Sequence, residues 1–281
     1  MKKVSIITIN LNNAAGLRAT AESIVSQSCY NEIEWIVIDG ASTDGSVEVI
    51  HDFAPYIHYW VSEKDSGIYH AMNKGILAAH GEYVLFRNSG DLMSNNRVIE
   101  QFIEHPAYGK FDHCSGITEN MRHGKWLYDF YPAEELTLKA FYGWSMPHAS
   151  TFTKRSRFEN HLYDQGMKIC ADNVFYFEDI IMRNASYTAL DFKICKFETT
   201  GVSSGNPKIG IAERDYGVEK NLPPRIYKDL CFLFCNLKGR EQKLMHFVWS
   251  RTWEYKILCY VAAVLSIPRR ILNYIRRTRN R

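Results

Sequence analysis

Four compact apolar runs near the start of the chain, each ending in a polar turn and followed by a helical pattern, leave few folds open to it. Val4–Ile9 is a β-branched run of the kind buried on both faces of a sheet. Asn12 or Asn13 caps the helix that follows, in which Leu17, Ala21, Ile24 and Val25 recur at helical spacing. The run EWIVIDG is a second buried strand ending at Asp39, followed by the loop ASTDG and a short helix through Phe53. His58–Ser62 reads as a third strand, Ile68–Ala79 as a helix closed by Gly81, Tyr83–Phe86 as a fourth strand and Asn95–His105 as a helix. Such alternation with short loops predicts an α/β fold, a mostly parallel, Rossmann-like central sheet with helices on both sides. Ligands of such sheets bind beyond the carboxyl ends of the strands. That rule selects Asn10–Asn13, Asp39–Asp44, Glu63–Gly67 and Asn88–Asp91, all polar and three of them acidic.

The second half is less regular. Phe111–Ile117 and Lys125–Tyr131 read as strands, PHASTFTKR as a strand reaching a loop, and MKICADNVFYFEDIIMRN as a helix entered at Asp172. No internal repeat or low-complexity linker interrupts the chain. The expected division is a ligand-binding half at 1–93, a second half of the same domain at 94–205, and a helical, basic C-terminal extension at 206–281.

Charge and cysteine usage narrow the partners. The net charge is only +3, and six arginines fall between Arg269 and Arg281 with no acid among them. Without them the body is slightly acidic, which argues against a nucleic-acid partner. The seven cysteines are scattered without a CxxC pair, and no HExxH occurs, so a zinc site is not expected and reduced thiols in a cytoplasmic setting are. The start MKKVSIITINLNN turns polar too soon for a signal peptide. Ile257–Ile267 is too short to span a bilayer, yet beside the arginines it suits an interfacial helix on anionic lipid, so peripheral membrane association is expected.

Neither GxGxxG nor a Walker-A loop follows the first strand. A sheet that binds a nucleotide without these glycine devices needs another way to neutralise a diphosphate. A divalent cation held by a carboxylate does this, since it bridges phosphate oxygens and absorbs charge on a leaving group. Asn88-Ser89-Gly90-Asp91 offers one carboxylate at a strand end, although by itself it is ordinary turn chemistry.

The successive blocks SIITINLNN, EWIVIDGASTDGS, EKDSGIYHAMNKGILAAHGEY and FRNSGD resemble the family 2 glycosyltransferases, inverting enzymes of the GT-A nucleotide-sugar-binding fold. The likeness is to bacterial members that build O-antigen, capsule or colanic-acid-type polysaccharides. It is carried by Lys3 to Asp91 and continues more weakly, through PHASTF, ICAD and TTGVS, to Ser203. The resemblance implies a nucleotide-sugar donor, UDP-linked in many relatives, and a lipid-linked saccharide acceptor. It implies that Thr8 and Asn10 line the nucleoside pocket, that Asp39 accepts from the base, and that Asp65 closes the pocket. Asn88, Ser89, Gly90 and Asp91 then form the metal turn, with Asp91 on Mn²⁺ or Mg²⁺ and Asp172 as the general base. Lys74 would reach phosphate, and His148 would face acceptor or diphosphate.

Direct displacement with inversion needs one base on the acceptor side, which suits a lone carboxylate such as Asp172. The chain departs from the pattern at His70 and at Asn88, where many relatives carry acids. Arg87 adds a charge to an apolar strand end, and the sequence leaves its partner, acid or phosphate, open. Two other functions use related sheets. A nucleotidyltransferase needs a glycine- and lysine-rich first loop that TINLNNAAG lacks; a non-catalytic nucleotide-sugar-binding protein would tolerate the weakened turn.

Overall fold

The structure, a computed structural model, describes residues 2–138, 141, 146–201 and 206–234. Two compact units divide the chain, Met1–Asn221 and Leu222–Arg281. The helix Pro207–Asn221 closes the first unit. In the second unit the described helix is Pro224–Phe234. No helix among the described residues is long and apolar enough to cross a membrane. Ile257–Ile267 and the arginines after it lie outside the described residues.

In chain order the first unit runs β1 (Val4–Asn10), α1 (Ala14–Val25), β2 (Ile33–Asp39), α2 (Ser46–Asp52), β3 (Tyr59–Ser62), α3 (Ile68–Ala78) and β4 (Tyr83–Phe86). These are the elements expected from the alternating pattern, within a residue or two at their ends. β5 (Leu92–Met93), α4 (Val98–Glu104), β6 (His113–Arg122), β7 (Lys125–Phe130) and β8 (Thr151–Lys154) follow. The unit ends with α5 (Ala171–Tyr176), a π-helical turn Phe177–Met182, β9 (Tyr187–Glu198) and α6 (Pro207–Asn221).

One sheet holds the strands in the order β3-β2-β1-β4-β8-β6-β9-β5, with β7 on the edge of β6. β3, β2, β1 and β4 pair in parallel, as expected. Beyond this parallel core the sheet is mixed: β8 joins β4 antiparallel, β6 joins β8 antiparallel, and β9 lies parallel to β6. The sheet is mixed because β8, β5 and β7 run against the other strands, whereas β9, a strand of 12 residues that has no sequence signal, runs with β6. Only Leu190, Ile194 and Cys195 of β9 are buried, so YTALDFKICKFE lacks a clean alternation.

β1 and β2 are buried along their whole length, and α1 covers them with Leu17, Ala21 and Ile24. Each such aliphatic side chain contributes about 1.5–3 kcal/mol by leaving water. Asn13 caps α1, its Oδ1 accepting from Gly16 N at 3.1 Å. On the other face α3 lies against β1 at Gly75, where a Cβ would fall 2.3 Å from Ile7 Cγ2. Gly81 serves close approach rather than a left-handed helix end, because a Cβ there would meet Ser5 N at 2.6 Å.

A buried ionic cluster ties the second half together. Asp179, on the π-helical turn, accepts from His113 Nε2 of β6 at 2.8 Å and from Arg157 Nε and Nη2 at 2.8 and 2.6 Å. His113 Nδ1 also meets Thr153 Oγ1 of β8 at 3.2 Å. The cluster thereby anchors the α5–π segment, which carries Asp172, to the sheet.

Candidate active site

Three of the four strand ends selected from sequence open on one cavity of about 610 Å³. Asn10, Leu11 and Asn13 come from the end of β1, Asp65–Gly67 from the end of β3, and Asn88–Asp91 from the end of β4. Tyr69 and Met72 of α3 extend that side. The lining is completed by His148, the loop Gln165–Ile169, and Phe197, Glu198, Thr200 and Gly201 at the end of β9.

The turn after β4 is held on α1. Gly90, at φ +104, donates to Thr20 Oγ1 at 3.0 Å, and the Thr20 hydroxyl donates to Asp91 O at 2.9 Å. Asn13 Nδ2 donates to Ser89 O at 3.0 Å. Asp91 is 5% exposed, and the Glu198 N–H donates to its Oδ1 at 3.2 Å. Burial pushes its carboxyl up to about 6, against the pull of Arg87 and His148. Asn88 Oδ1 is buried with no hydrogen-bond partner among the described residues. An undercompensated carboxylate beside an orphaned amide oxygen, both on the cavity wall, fits a hard divalent cation held by few protein oxygens. Diphosphate oxygens and water would complete such a shell. Among the described residues no three His, Cys, Asp or Glu side chains gather into a metal cluster.

Asp172 in the first turn of α5 is 9% exposed and does not itself line the cavity. Its Oδ1 accepts from the Tyr69 hydroxyl at 2.9 Å, and its Oδ2 lies 2.6 Å from His148 Nδ1. Burial raises the Asp172 carboxyl, but His148 and Tyr69 outweigh that and hold it below its ordinary value. Burial lowers His148, and the Asp172 contact outweighs it, so the imidazole is raised. With its proton on Nδ1, facing Asp172, His148 presents Nε2 toward Asn88 Nδ2 at 3.3 Å. A long, weak contact of this kind is easily exchanged for a hydroxyl donor. The arrangement therefore places a proton acceptor, His148 Nε2, directly beside the Asn88–Asp91 turn.

The glycosyl transferase family 2 profile matches residues 5–167 of the chain. The chain belongs to glycosyl transferase family 2. An uncharacterized glycosyltransferase of Mycobacterium tuberculosis is 32% identical over 205 residues, 72% of this chain and 77% of that protein. A PGL/p-HBAD biosynthesis glycosyltransferase of Mycobacterium bovis is 39% identical over 93 residues, 31% of this chain and 35% of that protein. Staphylococcus aureus TarS 1–349 in complex with UDP-GlcNAc superposes with a TM-score of 0.62 at 17% identity, covering 80% of this chain and 69% of that one. The mannosyltransferase PcManGT of Pyrobaculum calidifontis, in complex with GDP-Man and Mn²⁺, gives 0.58 at 16% identity, covering 96% and 82%. The fold is GT-A.

Not every residue singled out from sequence lies at the cavity of this family 2 enzyme. The Thr8 side chain is buried and accepts from Trp35 Nε1 at 3.0 Å. Asp39 is fully buried behind the cavity and accepts from Ser42 N and Oγ, Ser62 Oγ and Asn10 Nδ2 at 2.9, 2.5, 2.6 and 2.8 Å. Burial pushes Asp39 up, and these donors outweigh it to hold the carboxyl low. Asp39 thus orients Asn10, which does line the cavity. Lys74 pairs with Glu63 at 2.7 Å on a separate depression bordered by Glu34 and His58. His70 turns back to Ser66, its Nδ1 accepting from Ser66 N at 3.0 Å. Arg87 is wholly buried, donating to Ala149 O at 3.0 Å, so its charge reaches Asp91 and His148 from beneath.

Tyr69, Glu198 and Glu213 are not singled out by the sequence. Tyr69 lies inside the block DSGIYHAMNKG, where an aromatic on a helix reads as core. Glu213 of α6 accepts from three consecutive backbone N–H groups, Lys168, Ile169 and Cys170, at 2.7, 2.8 and 3.0 Å. It holds the loop that walls the cavity and leads into Asp172. Glu213→Ala is expected to speed amide exchange at residues 168–170 and to lower kcat about tenfold, since small misplacements beside the chemistry cost that much or more. Unchanged exchange at these amides by mass spectrometry would remove Glu213 from this role.

Proposed function

We propose that this family 2 enzyme transfers a sugar, with inversion, from a nucleotide sugar to a lipid-linked saccharide during bacterial surface polysaccharide synthesis of the O-antigen, capsule or colanic-acid type. The observation that carries the reading is that the Asp91 turn and the His148–Asp172 unit meet at one cavity, His148 Nε2 lying 3.3 Å from Asn88 of the turn. UDP-GlcNAc in TarS and GDP-Man in PcManGT are the donors of enzymes sharing the fold, and a UDP donor is the first choice here.

In the proposed reaction the acceptor oxygen attacks the anomeric carbon as the bond from that carbon to the diphosphate breaks, its electrons leaving with the nucleoside diphosphate. The acceptor proton passes to the unit centred on Asp172, whose cavity-facing atom is His148 Nε2. Asp172 and Tyr69 hold that imidazole, so the positive charge it gains is met by a buried carboxylate. Asn10 and Asp65 border the nucleoside end, with Asp39 and Thr8 supporting from behind; Lys74 reaches phosphate only by leaving Glu63. Ser89 and Gly90 supply the backbone of the diphosphate turn. Asp91 and Asn88 would hold Mn²⁺ or Mg²⁺, which when bound adds positive charge beside the leaving diphosphate. The C-terminal region keeps the enzyme at the inner face of the cell membrane, where a lipid-linked acceptor lies.

A calorimetric screen of nucleotide sugars with and without Mn²⁺ or Mg²⁺ tests this reading. One UDP-sugar is expected to bind, more tightly with metal. Asp91→Ala is expected to remove the metal response and to lower turnover on the order of 10²-fold, as losing one preorganised charge contact does elsewhere. Absence of binding by any nucleotide sugar would overturn the proposal, and an Asp91→Ala enzyme of normal metal response would remove the turn from it.

A further inference from the structure

The β6–β7 hairpin carries chemistry that the transfer reaction does not use. Trp126, Leu127, Tyr128 and Tyr131 stand 59%, 44%, 54% and 62% exposed within six residues. β7 is an edge strand, paired with β6 alone. At the tip His123 and Gly124 occupy left-handed backbone at φ +51 and +72, the geometry of a tight two-residue hairpin turn. Arg122 and Lys125 are direct cross-strand partners there, both exposed, so two like charges stand side by side. Such a pair destabilises the ribbon unless something anionic lies against it.

The tip is fixed to the site. The Glu198 carboxylate accepts from His123 N and Gly124 N at 3.1 and 3.3 Å, while its own N–H donates to Asp91 Oδ1 at 3.2 Å. One residue thus joins the hairpin to the cavity wall.

The register decides what the hairpin meets. Met121 pairs with Trp126 and Asn120 with Tyr128, leaving Leu127 as the extra residue of a bulge. Neighbours on β6 face opposite sides, so Trp126 and Tyr128 flank the ribbon rather than forming one platform. A sugar ring stacks on a single flat face, which this ribbon lacks. A second copy pairing along β7 would meet a ladder interrupted at Leu127. The Trp126 indole is already oriented by Asp129 Oδ1 at 2.7 Å, and Asp129 is in turn paired with Lys193 at 3.1 Å. Aromatics on both sides of an edge, next to a pair of exposed cations that form no ion pair among the described residues, match the headgroup layer of an anionic bilayer, where Trp and Tyr settle and Arg and Lys find phosphate.

We propose that the β6–β7 hairpin is a membrane-docking edge: Trp126, Leu127 and Tyr128 enter the headgroup layer of an anionic bilayer, Arg122 and Lys125 meet its phosphates, and the cavity wall at Glu198 is held at the lipid surface. The contact deepens the proposed reaction, but it is measured without donor or acceptor, so its failure is separate from failure of nucleotide-sugar binding.

Amide exchange of the full chain, followed by mass spectrometry, reads the contact directly. Vesicles of phosphatidylglycerol and phosphatidylethanolamine are expected to slow exchange several-fold across residues 122–131, and phosphatidylcholine vesicles to do so much less. Replacing Trp126→Ser and Tyr128→Ser together is expected to abolish that slowing and leave calorimetric nucleotide-sugar binding unchanged. Unaltered exchange in the hairpin overturns the proposal, even where the protein sediments with vesicles through another segment. Slowing by protein concentration alone, or by a soluble oligosaccharide alone, overturns it in favour of a second copy or a saccharide.

Discussion

Asp172→Asn is expected to reduce transfer by about 10³–10⁴-fold while leaving nucleotide-sugar binding intact, at the upper end of what a general base contributes. The amide keeps an oxygen for the Tyr69 hydroxyl but turns its NH₂ toward His148 Nδ1. The imidazole then carries its proton on Nε2, the wrong tautomer to accept one from the cavity, as happens when the carboxylate of a serine-protease triad is replaced by an amide. Donor binding survives because Asp172 lies behind His148 and off the cavity wall. The native acid limb should fall above the ordinary histidine value of 6.5, because the Asp172 contact outweighs burial in setting His148. Activity increases as pH rises through that limb, when Nε2 becomes free to accept. Single-turnover rates and calorimetry on the same variant decide the matter: transfer within tenfold of the native rate would end the role of Asp172.

The largest stability effect is expected at the cluster beneath α5. Asp179→Ala strips the partner from His113, which is wholly buried, and from Arg157, and should cost about 3–5 kcal/mol. For a domain of this size that is a fall in Tm on the order of 10 °C by calorimetry. Burial opposes the Asp179 charge, but His113 and Arg157 outweigh it and hold the carboxyl well below the ordinary 3.8. Burial lowers His113 below its ordinary 6.5, more than Asp179 raises it. Both shifts have the same sign for stability. Each group binds fewer protons folded than unfolded, so stability is complete above 6.5 and falls first as the unfolded histidine protonates. A second loss begins below 3.8, as unfolded Asp179 protonates and the folded carboxylate resists. An Asp179→Ala protein with native Tm and unchanged acid sensitivity would show the cluster to be energetically idle.

Much of the first half is legible in the sequence because its code is local. β1 and β2 are buried on both faces and so read as unbroken apolar runs, and Asn13 occupies the position that capping requires. The second half is less so. β9 is half exposed along its length, and its partners β6 and β5 are distant in sequence, so no local pattern announces it. Lys74 shows the same limit within a helix. Spacing puts it on α3, but which neighbour it meets, Glu63 or a phosphate, depends on the side of the sheet to which α3 is docked.

By itself the sequence determined the four parallel strands and the polar strand ends, three of which open on the cavity, and it singled out Asp91 and Asp172 among the carboxylates of the chain. Those follow from short-range periodicity and from motif blocks in which each residue sits close to the next. Only the tertiary structure decided what surrounds the two carboxylates. Packing α5 against α3 and the segment at His148 buries Asp172 behind an imidazole, and closing the turn after β4 with the end of β9 buries Asp91 beside an orphaned amide. Burial and hydrogen bonding across 24, 103 and 107 residues of chain set the charge of these groups. Contacts that distant are made by the fold as a whole.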